Sequence, residues 1–325
     1  MNAITQLDLL DLETLTDHYP IGKLIRYQAI AAGIENSNYF LTTVQDGVEH
    51  RYVLTILEQP ANAGAALVPL LDACEAAGLP TPTVIRKAEG SAWGDLGGKP
   101  VLICRFLPGR HVGNPTHRQI AALGRFIARF HNATASLGFP LPAYPRDPDW
   151  LTRKVSVCRS RIGYTAGRLM QDVAAQVGQE LARLDVRELP AGVIHGDLFR
   201  DNVLFNEHGL SGVLDFHHAA RGHLLYDLAV AANDWCTDAQ GAMDTERVLA
   251  LLRAYHGIRP LLRQELWHFP LFCLYAGLAF WLSRYEANLR KRQNASVRVN
   301  NPEEFQRIVE HHAAHFLYLD ERLFL

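Results

Sequence analysis

One short stretch of the chain carries residues whose types and spacing could do chemistry. It holds a histidine, an aspartate and an asparagine at His195, Asp197 and Asn202, and a second aspartate at Asp215. Carboxylate and amide oxygens are hard ligands that suit Mg²⁺, and a carboxylate can also accept or orient the proton of a hydroxyl group. The stretch therefore predicts a site that combines a divalent cation with an acid–base group.

Short apolar runs must position these polar residues. Runs at 193–194 and 203–205 flank the first three of them, and a third run at 213–214 comes directly before Asp215. Runs of β-branched and aromatic residues separated by Gly and Asn are typical of short strands. The polar residues therefore fall at strand ends and in loops, where a rigid scaffold commonly presents its chemistry.

The spacing His195-Gly196-Asp197 to Asn202, with a later Asp-Phe at Asp215, resembles the catalytic loop of phosphotransferases. It is similar to the version in the aminoglycoside phosphotransferase and choline kinase-like superfamily, which shares the protein-kinase fold. The resemblance implies that Asp197 accepts or orients the proton of an attacking hydroxyl. It also implies that Asn202 and Asp215 hold Mg²⁺ on the phosphates of ATP, and that His195 holds the loop by hydrogen bonding.

The same resemblance implies an α+β fold with two lobes. We expect a small antiparallel sheet lobe that binds the nucleotide in residues 1–106. A larger, mainly helical lobe with the catalytic loop and the acceptor site is expected in residues 107–325.

A zinc hydrolase is the main chemical alternative, with ligands from His195, Asp197, His217 and His218. That alternative leaves Asn202 without a role, and we favour phosphoryl transfer.

Composition excludes several other classes of function. Of the 325 residues, 48% are hydrophobic and 20% are charged, and the formal net charge is −2, so no basic excess points to nucleic acid or a membrane surface. Five scattered cysteines without metal spacing favour reduced thiols. The N-terminus does not resemble a signal peptide, and the apolar stretch 271–282 is too short to span a bilayer. We expect a cytoplasmic monomer or homodimer that binds small molecules, with no nucleic-acid or membrane partner.

The first third of the chain is typical of a small sheet. Residues 1–20 predict a short amphipathic helix, and Asp46-Gly47 between two strand-like runs predicts a hairpin. A helix is expected near 63–77. The predicted strands, about five in all, include 27–31, 39–44, 52–57, 83–85 and 101–106.

Two segments are candidates for nucleotide contacts. The turn after the first strand lies where kinases place a phosphate-covering loop, and its backbone N–H groups and hydroxyl could meet phosphate; the residues are Gly33, Asn36, Ser37 and Asn38. Without the downstream motif, an ordinary hairpin turn is an equal alternative. The segment 104–107 is the expected hinge between lobes, where Cys104, Phe106 and Leu107 would contact adenine.

The third strand departs from the kinase pattern. Where a Lys is expected after the Val-Leu pair, the chain has Thr55, and the next helix carries its acids late, at Asp72 and Glu75. The usual ion pair between strand Lys and helix Glu is therefore missing or replaced.

After residue 107 the pattern becomes mainly helical. A capping box at Thr116 and Gln119 predicts a helix start. Two more helices are expected at 149–161 and 164–184, and the Pro-rich link 139–148 is interpreted as a surface loop. The last predicted helix begins at Asn301-Pro302. It carries three histidines, for which a solvated helix end is favoured over a metal site: His311, His312 and His315.

The acceptor is suggested by further segments. Tyr-Asp-Leu-Ala at 226–229, Asn-Asp-Trp at 233–235, the turn at 33–38 and Phe-Trp-Leu-Ser-Arg at 280–284 closely resemble the bacterial homoserine kinases of this superfamily. The resemblance implies phosphorylation of L-homoserine by ATP in threonine biosynthesis. A zwitterion needs an acid and a cation, and the expected substrate residues are Asn233, Asp234, Trp235 and Arg284. Core packing is an equal alternative for Trp235, and an intrahelical or surface ion pair is an alternative for Arg284.

Two alternatives to a homoserine kinase stay open. The same fold could act on choline, another amino alcohol or an aminoglycoside, since acids alone do not decide the acceptor. A non-catalytic nucleotide-binding module is the other, because the strand Lys is missing. The joint presence of Asp197, Asn202 and Asp215 argues against the module.

Overall fold

The structure, a computed structural model, describes residues 5, 7–30, 36–58, 64–138, 141–184, 189–291, 301–315, 317 and 319. Strands dominate the first third of the chain and helices the rest. The elements in the first third are α1 (Leu9–Thr16), β1 (Lys23–Ile30), β2 (Ser37–Gln45), β3 (Val48–Ile56), α2 (Gly64–Ala76), β4 (Trp93–Leu96) and β5 (Lys99–Arg105).

The remaining elements build a helical body around two short strand pairs. They are α3 (His117–Thr134), α4 (Pro148–Cys158), α5 (Tyr164–Arg183), β6 (Ala191–Ile194), β7 (Val203–Asn206), β8 (Gly209–Val213), β9 (Ala220–His223), α6 (Leu225–Trp235), α7 (Thr245–His256), α8 (Arg263–Lys291) and α9 (Pro302–Ala314). Strand β6 pairs with β9 and β7 pairs with β8, both antiparallel.

The five-stranded sheet is antiparallel, in the order β1-β2-β3-β5-β4. The predicted hairpin joins β2 to β3 through Asp46 and Gly47, whose φ angles of 52° and 76° are those of a two-residue type I′ turn. One face of the sheet packs on α1 around a small core that includes Leu12, Leu41 and Leu54, all fully buried. The antiparallel sheet and its hairpin were thus predicted correctly, apart from one of the five strands.

The predicted strand at 83–85 is wrong. This segment makes a single bridge, between Val84 and Cys104, and the fifth strand of the sheet is β4 instead. Pro80 and Pro82 precede the bridge, and a proline has no N–H to donate to a ladder. The pairing therefore extends only to the hydrogen bonds around the bridge, such as Ile85 N–H to the Ile103 carbonyl at 2.8 Å.

Local capping signals set the helix starts in the body. Thr116 and Gln119 form the predicted capping box at the start of α3, and Asn301 caps α9 with Pro302 in its first turn. The apolar stripe of α3 is fully buried at Ile120 and Ile127. These helices pack into the larger core, which also takes up one side of α2.

Helix α8 is the central element of this core. By length and composition it is the one helix among the described residues that could cross a membrane, but 72% of its apolar window is buried inside the protein. The stretch 271–282 lies within it, as the predicted buried helix. All five cysteines are buried and none forms a disulfide.

Candidate active site

The catalytic loop begins where β6 ends. His195, Gly196 and Asp197 follow that strand directly, and a 3₁₀ turn at Arg200–Asn202 leads into β7. Gly196 has φ +76°, and a Cβ added there would lie 3.1 Å from the ring of Tyr144. The position therefore suits glycine, because an L side chain would meet both backbone strain and an aromatic ring.

The buried carboxylate of Asp227, on α6, holds this loop. One oxygen accepts the backbone N–H of Gly196 at 2.8 Å, and the other accepts the backbone N–H of His195 at 2.8 Å. The second oxygen also contacts Nε2 of buried His131 at 3.0 Å. A carboxylate with several donors on a loop fixes the loop more firmly than neutral hydrogen bonds would.

His195 lies at the centre of the loop and is fully buried. Burial lowers its pKa, against the raising effect of the carboxylates of Asp227 and Asp215. The neutral ring donates from Nε2 to the Leu214 carbonyl at 2.9 Å, and its Nδ1 accepts the Asp197 backbone N–H at 3.3 Å. His195 thus links the catalytic loop to the end of β8, which agrees with the loop-holding role that the resemblance implies.

Asn202 and Asp197 are joined directly. The Asn202 amide nitrogen donates to the Asp197 carbonyl and to Asp197 Oδ2, both at 2.8 Å. These two hydrogen bonds fix the orientation of the Asp197 carboxylate relative to the loop. The amide oxygen of Asn202 takes no part in them.

Asp215 follows β8 in a left-handed conformation, with φ 62° and ψ 62°. This conformation is strained for a residue with a side chain, and such strain is common at functional sites. Its carboxylate pairs with His217 Nδ1 at 3.3 Å and is 42% exposed. The ligand atoms of Asp197, Asp215 and His218 all lie within 4.8 Å of one another, close enough to share a metal ion.

The two aspartates have opposite pKa shifts. Burial raises the pKa of Asp197 to about 6; Asp215 adds to the rise, while His218 and Arg146 oppose it. Burial would also raise the pKa of Asp215, but the hydrogen bond and charge of His217, with His218 and His195, lower it to about 2. One carboxyl can therefore exchange a proton near neutral pH, while the other stays an anion.

Of the predicted phosphate contacts, Gly33 lies outside the described residues. Asn36 precedes β2, the Ser37 hydroxyl donates to Glu58, and Asn38 accepts the Thr55 hydroxyl at 2.7 Å. Glu58 in turn pairs with Lys99 at 2.5 Å. Thr55, at the position of the expected strand Lys, is thus bound to the neighbouring strand.

The predicted hinge follows β5. Cys104 is buried and Phe106 lies under the Arg51 guanidinium, 3.9 Å from carbon to ring centre. The side chain of Leu107 packs over Gly212, where an added Cβ would lie 3.1 Å from it. The hinge segment thus touches the β7–β8 hairpin, which carries Asp215 at its end.

The structure gives the predicted substrate residues partners within the protein. Asn233 is buried and bridges the Cys273 carbonyl at 2.8 Å and His312 Nε2 at 2.9 Å; Trp235 is buried and donates to the Leu198 carbonyl at 3.0 Å. Their contact with substrate stays a prediction. His312 also departs from the solvated helix end expected for its segment.

Asp234 and Arg284, the predicted ionic pair for a zwitterion, are likewise engaged elsewhere. Asp234 accepts the backbone N–H of Arg200 at 2.7 Å and pairs with its side chain at 3.1 Å. Arg284 pairs with Glu304 at 2.7 Å and lies over the ring of Phe305. The two are not paired with each other, so each would have to give up or share a partner to bind an amino acid.

Four residues around the site were missed or misassigned from the sequence. Asp227 was named only as part of the Tyr-Asp-Leu-Ala run, and His218 only as a zinc ligand of the alternative. Tyr144 and Arg146 belong to a link interpreted as surface loop, yet Tyr144 packs against Gly196. Only the Tyr-Asp-Leu-Ala run around Asp227 carried a signal, through the resemblance.

Comparison with known proteins agrees with this geometry. The family model described as "Phosphotransferase enzyme family" matches residues 26–261. A homoserine kinase of Methylobacillus flagellatus is 36% identical over 97% of this chain and 96% of its own, and one of Pseudomonas aeruginosa is 36% identical over 94% and 95%.

Solved structures support the same fold. An amicoumacin kinase in complex with AMP-PNP, Ca²⁺ and Ami superposes with a TM-score of 0.70 at 15% identity, over 94% of this chain and 92% of that one. At this identity the likeness concerns the fold, and it confirms the predicted protein-kinase-like architecture of sheet and helical body. A zinc hydrolase and a non-catalytic module are excluded as classes, because the chain is a phosphotransferase with an alcohol group as acceptor; it belongs to the phosphotransferase enzyme family.

Proposed function

We propose that this protein is a homoserine kinase, which transfers the γ-phosphoryl group of ATP to the side-chain hydroxyl of L-homoserine. The single observation that carries the acceptor is the 36% identity to a homoserine kinase over 97% of the chain. The joined Asp197 and Asn202, with Asp215 nearby, support the reaction type. Such a reaction would serve threonine biosynthesis in the cytoplasm.

In the proposed reaction, the acceptor hydroxyl oxygen forms a bond to the γ-phosphorus, and the bond from that phosphorus to the β–γ bridging oxygen breaks, releasing ADP. Asp197 accepts the hydroxyl proton. Its raised pKa, about 6, lets it be an anion at neutral pH and still a competent base. Asn202 holds the carboxylate by its 2.8 Å hydrogen bond, so that a single oxygen faces the alcohol.

The residues present fit a divalent cation. Asp215 stays an anion, the Asn202 amide oxygen is not used in its bond to Asp197, and hard oxygens of this kind suit Mg²⁺. When bound, Mg²⁺ would offset the charge of the phosphates. His218 stands beside the same cluster and is a further candidate ligand.

The nucleotide is proposed to bind in the cleft between the lobes 1–106 and 107–325. Adenine would lie against Cys104, Phe106 and Leu107, and the phosphates near Gly33 and the start of β2 at Asn36, Ser37 and Asn38. Because Ser37 already donates to Glu58, its backbone N–H is the better candidate for phosphate than its hydroxyl. The substrate roles of Asn233, Asp234, Trp235 and Arg284 remain predictions, as does a monomeric or homodimeric state.

An ATP-consumption assay tests the acceptor, with L-homoserine, choline and kanamycin supplied side by side. Turnover with L-homoserine and little with the other two is the expected result, whereas preference for choline or kanamycin would replace homoserine as the acceptor. Asp197→Ala should lower kcat by about 10²–10⁴-fold with nucleotide binding retained. Asp172→Asn, on the exposed face of α5, is the matched control and should keep full activity.

A further inference from the structure

The link between α3 and α4 lies against the catalytic loop. Tyr144 donates its backbone N–H to the Arg221 carbonyl at 2.8 Å, and Ala143 makes a parallel bridge to the same residue of β9. The Tyr144 ring covers Gly196, and its hydroxyl bonds to that of Tyr226 at 2.9 Å. Arg146 follows two residues later in the same link.

Arg146 is a cation that hydrogen-bonds the Tyr144 side chain but still lacks a full set of partners. Its guanidinium lies over the Phe280 ring, 4.3 Å from the ring centre, and its carbonyl accepts the Tyr275 hydroxyl. Its Nη1 is buried and has no hydrogen-bond partner among the described residues. A buried charged donor left unpaired costs more than about 1–3 kcal/mol, so an anion that completes it would bind favourably.

The electrostatics place this cation next to the reacting group. Arg146 lowers the pKa of the Asp197 carboxyl, against the larger effect of burial, so its charge acts at that carboxylate. Within the described residues, however, Arg146 forms no salt bridge of 4.0 Å or less with Asp197 or any other acid. The guanidinium is therefore near the reaction centre, and no acid among the described residues pairs with it.

The other arginines around the acceptor side differ in this respect. Arg200 donates to Asp234 and to the Gly113 carbonyl, and Arg284 pairs with Glu304. Each would have to break an ion pair before binding a substrate. Arg146 would break none.

We propose that Arg146 binds the carboxylate of the amino-acid acceptor, holding its side-chain hydroxyl toward Asp197. This inference rests on the proposed function, since it takes the acceptor to be an amino acid that bears a hydroxyl group. The planar guanidinium offers two parallel N–H groups, which match a carboxylate in a bidentate pair. Phe280 fixes the plane of that fork, and Tyr275 holds the backbone behind it.

The test compares two acceptors that differ only by the carboxylate, L-homoserine and 3-aminopropan-1-ol. Arg146→Met should lower kcat/KM for L-homoserine by about 10²-fold or more, because one side of a buried ion pair is lost. For 3-aminopropan-1-ol it should change less than about threefold on the same reasoning. Rates are measured at pH 8, above the pKa of about 6 of Asp197, so that this carboxyl is deprotonated in the parent enzyme.

Two further variants complete the design. Arg146→Lys keeps the charge but not the planar pair of N–H groups, and should lower kcat/KM about tenfold for L-homoserine only. This variant replaces Arg146→Met in the test if Arg146→Met does not bind nucleotide or does not melt cooperatively. Arg290→Met, a 71% exposed arginine on α8, is the matched control and should behave as the parent.

The outcomes separate the two proposals. Equal losses toward both acceptors, or none, would overturn the role of Arg146 while leaving a homoserine kinase in place. If Arg284→Met, rather than Arg146→Met, selectively lowered kcat/KM for L-homoserine, the carboxylate would be assigned to Arg284, as predicted from the sequence. If the parent enzyme does not phosphorylate L-homoserine at all, the proposed function fails and the assignment of Arg146 fails with it.

Discussion

Replacing Asp227 by asparagine should damage stability and turnover together. The side chain is fully buried, and its two oxygens accept the N–H groups of Gly196 and His195, both at 2.8 Å, and contact His131 at 3.0 Å. Asparagine keeps the shape but turns one acceptor into an NH₂ donor, which must face another donor. Hydrogen bonds to a charged group contribute about 1.5–3 kcal/mol each.

Losing one such bond and the charge that supports the other two should cost about 3–5 kcal/mol of unfolding free energy. The melting temperature should fall by roughly 4–7 °C for a chain of 325 residues. Because the loop that carries Asp197 shifts when its anchor weakens, kcat should fall about 10²-fold, since a displacement of about 1 Å has that effect.

Thermal melting and steady-state kinetics at pH 8 check both parts. Asp172→Asn removes a carboxylate that is 62% exposed, and should change stability by less than about 0.5 kcal/mol. If Asp227→Asn melted with the parent and kept its kcat, the catalytic loop would have to be held by other contacts, and the anchoring role would be refuted.

Three other outcomes follow from the site and its surroundings. The pKa of Asp197, about 6, predicts that kcat/KM for the acceptor falls tenfold per unit below pH 6 and is level above it; a profile level down to pH 5 would contradict a base with that pKa. Gly196→Ala should lower kcat by about 10²-fold, because of its φ of +76° and the nearby Tyr144 ring, whereas Gly113→Ala, with no atom within 4 Å of an added Cβ, should not. Burial, followed by the charge of His311, lowers the pKa of His312 to about 4 from its ordinary 6.5. The unfolded chain therefore protonates His312 more readily than the folded protein does. The free energy of unfolding should be highest above pH 6.5 and should decrease by up to about 3 kcal/mol as the pH falls to 4. In urea titrations, His312→Gln should remove most of this decrease between pH 6.5 and pH 4, whereas His208→Gln, at an exposed histidine, should leave it unchanged.

The parts of the fold that the sequence predicts are those decided by neighbours in the chain. The type I′ turn at Asp46-Gly47, the capping box of Thr116 and the Asn301 cap each depend on four or five consecutive residues. The prediction of a strand at 83–85 was wrong because β4 occupies most of the edge of β5 and two prolines precede the segment. Which segment pairs with that edge depends on distant parts of the chain, so no local pattern indicates it.

The candidate site likewise combines features that local sequence predicts with contacts that only the folded chain brings together. Asp197, Asn202 and Asp215 were predicted because their spacing follows one loop and one hairpin. The contacts of Asp227 with residues 31 and 32 positions away, and of His312 with Asn233 across 79 positions, arise only from packing. Trp235 and Arg284 have the residue types that a substrate pocket needs, and the structure adds their contacts within the protein, with the Leu198 carbonyl and with Glu304.

The charge of Arg146, which acts on the Asp197 carboxyl, bears on how this fold selects an acceptor. The fold is shared with an antibiotic kinase at 15% identity, so it does not decide the acceptor by itself. Discrimination is a difference of binding free energies, and a misplaced charge can supply it as well as a matched one. A polycationic aminoglycoside would bring like charge to Arg146, whose Nη1 already lacks a partner. The cationic groups of the aminoglycoside would lose hydration without gaining an ion pair there. A zwitterion brings a carboxylate to the same atom. The guanidinium of Arg146 would thus reject the first class of acceptor for the reason that it accepts the second.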